Sequence, residues 1–207
     1  MPDTHMPTES SSPILHTRAA YLGFDRPVLG PLTLDVPIGS RWALTGPNGI
    51  GKSLLLKALT GQARVHRGHL ELAPQARISL LAQDHPRRQP WPLSGHDWFR
   101  AMGAQPPEQA RVRALMDRRL DRLSGGQWQL LRLAAALASH AVHPPAQRLV
   151  LLDEPANHLD AEVRHDAIEL ITSLPGGTTL LMTSHDDDFL EAAGVERHPL
   201  TEYIHAG

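Results

Sequence analysis

Gly46-Pro47-Asn48-Gly49-Ile50-Gly51-Lys52-Ser53 is the stretch on which the fold turns. Its spacing is G-x-x-x-x-G-K-[ST], in which glycines let successive backbone N–H groups converge on phosphate oxygens. Such a loop has meaning only between a strand and a helix, and both flanks are present. Arg41–Thr45 reads as a short strand buried by Trp42 and Leu44, and Leu54–Thr60 reads as a helix stopped near Gly61. Lys52 puts a cation on the β- and γ-phosphates, the Ser53 hydroxyl suits Mg2+, and the helix N-terminus adds a favourable dipole. Lys52 and Lys57 are the only lysines among 20 Lys and Arg residues, so a lysine here stands out in a chain that otherwise uses arginine.

Working outward, residues 14–45 are β-rich, with Leu32, Leu34 and Val36 alternating as in a half-buried strand before a turn at Pro37–Ser40. Arg77–Gln83 contains an apolar strand, Ile78–Leu81. Arg148–Asp153 is a further strand, and it ends on two carboxylates, Asp153 and Glu154. Open α/β sheets place ligands at the carboxyl ends of their strands. There Asp153 would hold Mg2+ and Glu154 would face an attacking water as general base. Ala161–Leu174 reads as a helix, Pro175–Gly177 as a turn, and Thr178–Ser184 as a strand ending at His185. Asp186–Ala193 follows as a short helix.

The middle of the chain differs. His85–Pro107 is rich in Pro, Trp, Arg and His without a long periodic run, and Glu108–Leu120 is polar and helical in tone. Gln127–Ser139 is a strong helix whose Leu130, Leu133, Ala134 and Leu137 share one face, and Ala141–Gln147 is a loop. The pattern predicts an α/β domain over 14–207, with a core at about 14–83 and 148–200 interrupted by a helical insert at about 84–147.

Composition narrows the classes. With 207 residues, the chain is about one domain. A net charge of −2 argues against a chain built to neutralise nucleic-acid phosphates, so no direct nucleic-acid partner is expected. Without cysteine there is no disulfide, thiolate metal site or thiol nucleophile. No apolar run reaches the 18 or so residues a membrane span needs. The polar leader over 1–13 is expected to be disordered, and it has no apolar segment to act as a secretory signal. The expected location is the cytoplasm. The 13 histidines are scattered, with close spacing only at His66/His69 and His140/His143, and read as solvated surface residues.

Leu123-Ser124-Gly125-Gly126-Gln127 is a polar, glycine-exposed helix start that can offer Ser124 Oγ and backbone N–H groups to an anion. It also resembles the signature segment of ABC-type ATPases. Gln83 resembles that family's Q-loop glutamine, Asn157-His158-Leu159-Asp160 its D-loop, and His185 after Thr183-Ser184 its switch histidine. Order and spacing agree from about residue 15 to 190. The resemblance implies an α/β P-loop NTPase of ABC-cassette type: a RecA-like core of mixed β-sheet, an antiparallel β region and a short α-helical subdomain. It implies ATP and Mg2+ as cofactors. Lys52, Glu154 and His185 would serve catalysis, and Ser53, Gln83 and Asp153 the metal. The nucleotide would lie on Gly46, Pro47, Asn48, Gly49, Ile50, Gly51, Lys52, Ser53 and Leu54, with Ser124, Gly125, Gly126 and Gln127 supplied across a head-to-tail dimer by a second cassette. That cassette is a second copy or a different chain.

Three departures from the family pattern stand out. Leu54 replaces the usual Thr, Leu130 and Ala135 replace usual arginines, and matching spacing for the adenine-stacking aromatic lands on Gly23. Tyr21 and Phe24 flank it, and the reading leans to Tyr21. Two functions fit. One is a transporter subunit on the inner face of the cell membrane, working with a separate transmembrane permease, with a lean to bacterial metal-ion uptake. Trp91, Leu93, Trp98 and Phe99 would then form either a docking patch for the permease or the insert's own core. The other is a soluble ABC-F-like factor acting on ribosomes, with Arg111, Arg113, Arg118, Arg119 and Arg122 as either an RNA contact or a solvated face.

Overall fold

In a computed structural model the described residues are 13–83, 92–139, 147–157 and 159–205. The expected leader up to residue 12, together with Trp91, His140, His143 and His158, lies outside them. The elements are β1 (Leu15–Gly23), β2 (Pro27–Val36), β3 (Arg41–Thr45), α1 (Lys52–Leu59), β4 (Arg64–Leu72), β5 (Arg77–Leu81), α2 (Gly95–Ala101), α3 (Ala110–Leu115), α4 (Gly125–Ala138), β6 (Arg148–Asp153), α5 (Ala161–Thr172), β7 (Thr179–Thr183), α6 (Asp187–Ala192) and β8 (Glu196–Pro199).

Two sheets result. β2-β1-β4 is antiparallel, and β5-β6-β7-β3-β8 is parallel throughout. This is the mixed α/β fold expected of the cassette. Alternation along the parallel strands divides the core. Leu149 and Leu151 of β6 and Leu181 of β7 join α1 and the antiparallel sheet on one side. Val150, Leu152, Leu180 and Met182 meet α4, α5 and α6 on the other. Residues i and i+2 share a face of a strand, so a strand covered on both faces is apolar at every position. Each fully buried Leu contributes roughly 1.5–3 kcal/mol.

β3 and β6 fall where the sequence places them. α1 begins at Lys52, earlier than expected, because Gly51 takes the cap position in left-handed backbone at φ 113°. A Cβ on Gly51 would also lie 2.9 Å from Leu29 Cδ2, so the position excludes a side chain twice over.

The segment read as helical over 108–120 forms helix only at Ala110–Leu115, followed by a 3-10 turn at Leu120–Arg122. α2 was not expected. Its Ser94 and Asp97 form a reciprocal cap, which starts a helix of 7 residues without a long periodic pattern. Trp98 and Phe99 are 9% and 1% exposed, and Trp98 meets Trp128 edge-on at 4.9 Å between ring centres. Of the two readings of these aromatics, the core one holds for them; Leu93 stays exposed. Arg111 pairs with Glu162 and Asp166, Arg113 with Glu108, and Arg119 with Asp121, so these arginines engage carboxylates of their own chain.

Candidate functional site

The carboxyl ends of β3, β5, β6 and β7 point to one side of the parallel sheet, which is where such sheets bind ligands. A cavity of about 450 Å3 opens there, lined by Asn48, Gly49 and Gly51–Leu54 of the glycine-rich loop, by Gln83 beyond β5, by Glu154 beyond β6 and by His185 beyond β7. Four separate stretches of sequence thus deliver their polar residues to one place.

Within it, Lys52 is 6% exposed, and its Nζ donates to the carbonyls of Gly46 at 2.8 Å and Pro47 at 3.2 Å. A buried ammonium needs such acceptors. Asp153 is 4% exposed, and its Oδ1 accepts from Ser53 Oγ at 2.8 Å and Thr183 Oγ1 at 2.7 Å. Thr183 Oγ1 in turn accepts from the Glu154 N–H at 3.0 Å. Thr183 was not singled out from the sequence; its signal is its place at the end of the strand beside β6.

Glu154 has left-handed backbone at φ 51°, a costly conformation for a residue with a side chain. Its carboxylate is buried, and Oε1 lies 2.6 Å from His185 Nε2. Burial pushes the carboxyl above the ordinary glutamate range; His185 and Lys52 pull it back, and Asp153 adds to the rise. His185 sits in a loop anchored on its far side. Asp186 caps α6 by accepting from the Phe189 N–H, and Arg164 of α5 pairs with that carboxylate and holds it below its usual range.

Ser53 and Asp153 present oxygen donors, the hard donor set that Mg2+ prefers. Among the described residues no group of three or more His, Asp or Glu could hold a metal. A magnesium ion here would therefore complete its shell from substrate phosphates and water, as Mg2+ usually does.

Of the expected nucleotide contacts, Tyr21 and the Ser124–Gln127 segment lie off this cavity. Tyr21 is not on the cavity wall, whereas Phe24, in the β1–β2 turn, is. Leu22 joins the core, so its neighbour Tyr21 lies on the opposite face of β1, beside Arg67 of β4. Phe24 is 50% exposed with Lys57 Nζ 5.9 Å from its ring centre. Ser124–Gln127 also do not line the cavity. Ser124 caps α4, accepting from the Gln127 N–H at 3.2 Å while Gln127 Oε1 accepts from the Ser124 N–H at 3.1 Å. Ser124 and Gly125 are exposed.

The ABC transporter family pattern matches residues 29–157. The chain is 35% identical over 199 residues to the Fe(3+) ions import ATP-binding protein FbpC of Streptomyces avermitilis, covering 84% of this chain and 55% of that one. It is 31% identical over 193 residues to Protein GCN20 of Saccharomyces cerevisiae, covering 88% of this chain and 25% of that one. It thus spans about a quarter to about half the length of these relatives. Its fold superposes with a TM-score of 0.66 and 28% identity on a chain of an inward-facing ABC transporter described as of metal-chelate type, covering 88% of this chain and 77% of that one. No helix among the described residues is long and apolar enough to cross a membrane.

Proposed function

The chain belongs to the ABC transporter family, and on that premise we propose that it is an ATP-hydrolysing cassette working as a head-to-tail pair that powers a membrane transporter. The observation that carries this reading is the convergence of Lys52, Ser53, Gln83, Glu154 and His185 on one cavity that Ser124–Gln127 do not reach. We read residues 14–83 and 148–200 as the catalytic core and 84–147 as the helical insert.

In this reading, backbone N–H groups of Asn48, Gly49 and Gly51 cradle the phosphates, and Lys52 leaves its two carbonyls for the β- and γ-phosphate oxygens. Ser53, Asp153 and Gln83 would hold Mg2+, which would neutralise phosphate charge when bound. Glu154 takes a proton from water as the water oxygen bonds to the γ-phosphorus. The bond from phosphorus to the β–γ bridging oxygen breaks, and ADP leaves with that oxygen's electron pair. His185 keeps the Glu154 carboxylate in place and faces the γ-phosphate. Phe24 stacks on the adenine. Ser124, Gly125, Gly126 and Gln127 of the second cassette close the other side of the γ-phosphate, so hydrolysis and pair closure are linked. Catalysis of this kind is mostly positioning and charge stabilisation.

The transporter reading places the chain on the inner face of the cell membrane beside a separate permease, and metal-ion uptake is supported by the likeness to FbpC and to the metal-chelate-type transporter. A second reading, a soluble factor of ABC-F type acting on ribosomes, is favoured by the likeness to GCN20. One reagent tests both. Glu154→Gln should bind Mg2+–ATP while losing about 10²–10⁴-fold in turnover. Captured with ATP from its own detergent-solubilised cells, it should retain a multi-spanning membrane protein. Ribosomal particles without such a partner would replace the transporter reading with the soluble one, and unchanged turnover would remove Glu154 as the base.

A further inference from the structure

The segments bearing Gln83 and Glu154 leave the sheet side by side. β5 and β6 pair in parallel up to Leu81 opposite Leu152. Just past the ends of these strands, the carbonyls of Ala82 and of Pro155 are both taken by side chains of α4. Arg132 Nη2 donates to Ala82 O at 2.6 Å, and Gln129 Nε2 donates to Pro155 O at 3.4 Å. Arg132 Nη1 donates to Gln129 Oε1 at 3.0 Å and closes the bridge. Positions three apart on a helix are neighbours, so the two side chains meet without strain. Where main-chain pairing ends, a side-chain bridge continues it.

The bridge uses a charged residue where an apolar one would cost less. Arg132 is 6% exposed, and Leu130, Leu131 and Leu133 around it are fully buried. Desolvating a guanidinium is unfavourable unless directed hydrogen bonds offset it, and a leucine or methionine would fill similar space without that cost. The planar fork can hold two acceptors in fixed directions at once, which an aliphatic side chain cannot. The Trp128 ring, 5.9 Å from the guanidinium carbon, supports it from one side.

We infer that Arg132, acting through Gln129, is a positioning residue that sets the spacing between the Gln83 and Glu154 segments and ties that spacing to the helix headed by Ser124–Gln127. The inference rests on the ATP-site reading above. A partner's nucleotide pressing on the head of α4 would then be felt at this chain's own cavity through one buried side chain.

The test is steady-state hydrolysis of Mg2+–ATP by the full chain, with binding of a fluorescent ATP analogue and thermal unfolding measured alongside. Arg132→Met is expected to bind the analogue and keep KM within about threefold while kcat drops about tenfold or more, the pattern of lost alignment rather than lost affinity. Arg132→Lys, which keeps the charge but reaches one acceptor, should fall between. Gln129→Leu should lower kcat, and Arg132→Met with Gln129→Leu should be no worse than Arg132→Met alone, because both cut the same bridge. A folded Arg132→Met protein with wild-type kcat, or multiplicative losses in the double variant, overturns the inference. Should Arg132→Met not fold, Gln129→Leu decides: reduced kcat at unchanged KM supports the bridge, and unchanged kcat overturns it. If wild type and Glu154→Gln hydrolyse ATP equally, the ATP-site reading fails and takes this inference with it. If turnover depends on Glu154 but not on Arg132, the inference alone fails.

Discussion

The glycine-rich loop and the head of α4 are both helix starts, yet they are furnished in opposite ways. Around Gly46–Ser53, Lys52 donates to carbonyls of its own loop, but the other polar groups are held by other elements: Ser53 by Asp153 of β6, Asp153 by Thr183 of β7, Glu154 by His185. At Ser124–Gln127 the cap is satisfied by its own two residues, and the surface beyond is open. A helix start fixed by distant strands is rigid in place. One that satisfies itself can stay exposed without an unpaired buried group, which suits a surface meant to be met from outside. The first half of the proposed site is internal to the chain, and the second half is offered.

The sharpest way to break this contrast is a mixing experiment. A Cβ at Gly126 would meet Val163 Cγ2 at 3.5 Å, an ordinary contact, so Gly126→Ala should fold normally. Lys52→Ala and Gly126→Ala are each expected to turn over ATP at about a tenth of the wild-type rate or less. Mixed, they should recover activity, because one pairing joins an intact loop to an intact α4 head. Absence of recovery would put both halves of the site in one chain.

A smaller effect tests whether His185 bears on the Glu154 carboxyl. Burial raises the Glu154 carboxyl, so the acid limb of kcat against pH should lie above the usual glutamate value of about 4.3. His185→Gln removes a group that pulls the value down and should move the limb to higher pH. An unmoved or lowered limb would uncouple the two residues. By the same linkage, the folded chain holds this proton more tightly than the unfolded one. Glu154's stabilising contribution is therefore fullest at low pH and lost as pH rises through its folded value.

The smallest expected effect concerns the edge of the internal half. Phe24→Ala should raise KM for ATP about three- to tenfold, the worth of one aromatic stack, while Tyr21→Ala should change it less than about twofold. The reverse order would return the stacking role to β1.

These tests also mark what the residues disclosed in advance. β3, β6 and the loop after β3 were legible because a strand covered on both faces must be apolar at each position, and because glycine spacing has few other uses. β4 was missed. It is an edge strand in which Arg64, His66, Arg67 and His69 hide the alternation. The position of Tyr21 off the cavity wall has the same kind of cause. The register of β1 against its neighbours shifts between Thr17 and Gly23, and each irregularity resets which face a residue takes. Counting residues along such a strand therefore says little about where its aromatics point. Arg132 reads in one dimension as an interruption of an apolar run; only the fold shows two strand ends on either side of it.

The left-handed backbone at Glu154 carries a consequence for protein engineering. A side chain in that conformation costs about 1–3 kcal/mol, which a glycine would largely release. Replacement would also remove a carboxylate that burial disfavours. A screen of this chain for heat resistance alone should therefore enrich substitutions at residue 154, and its hardiest survivors would be proteins without the proposed general base.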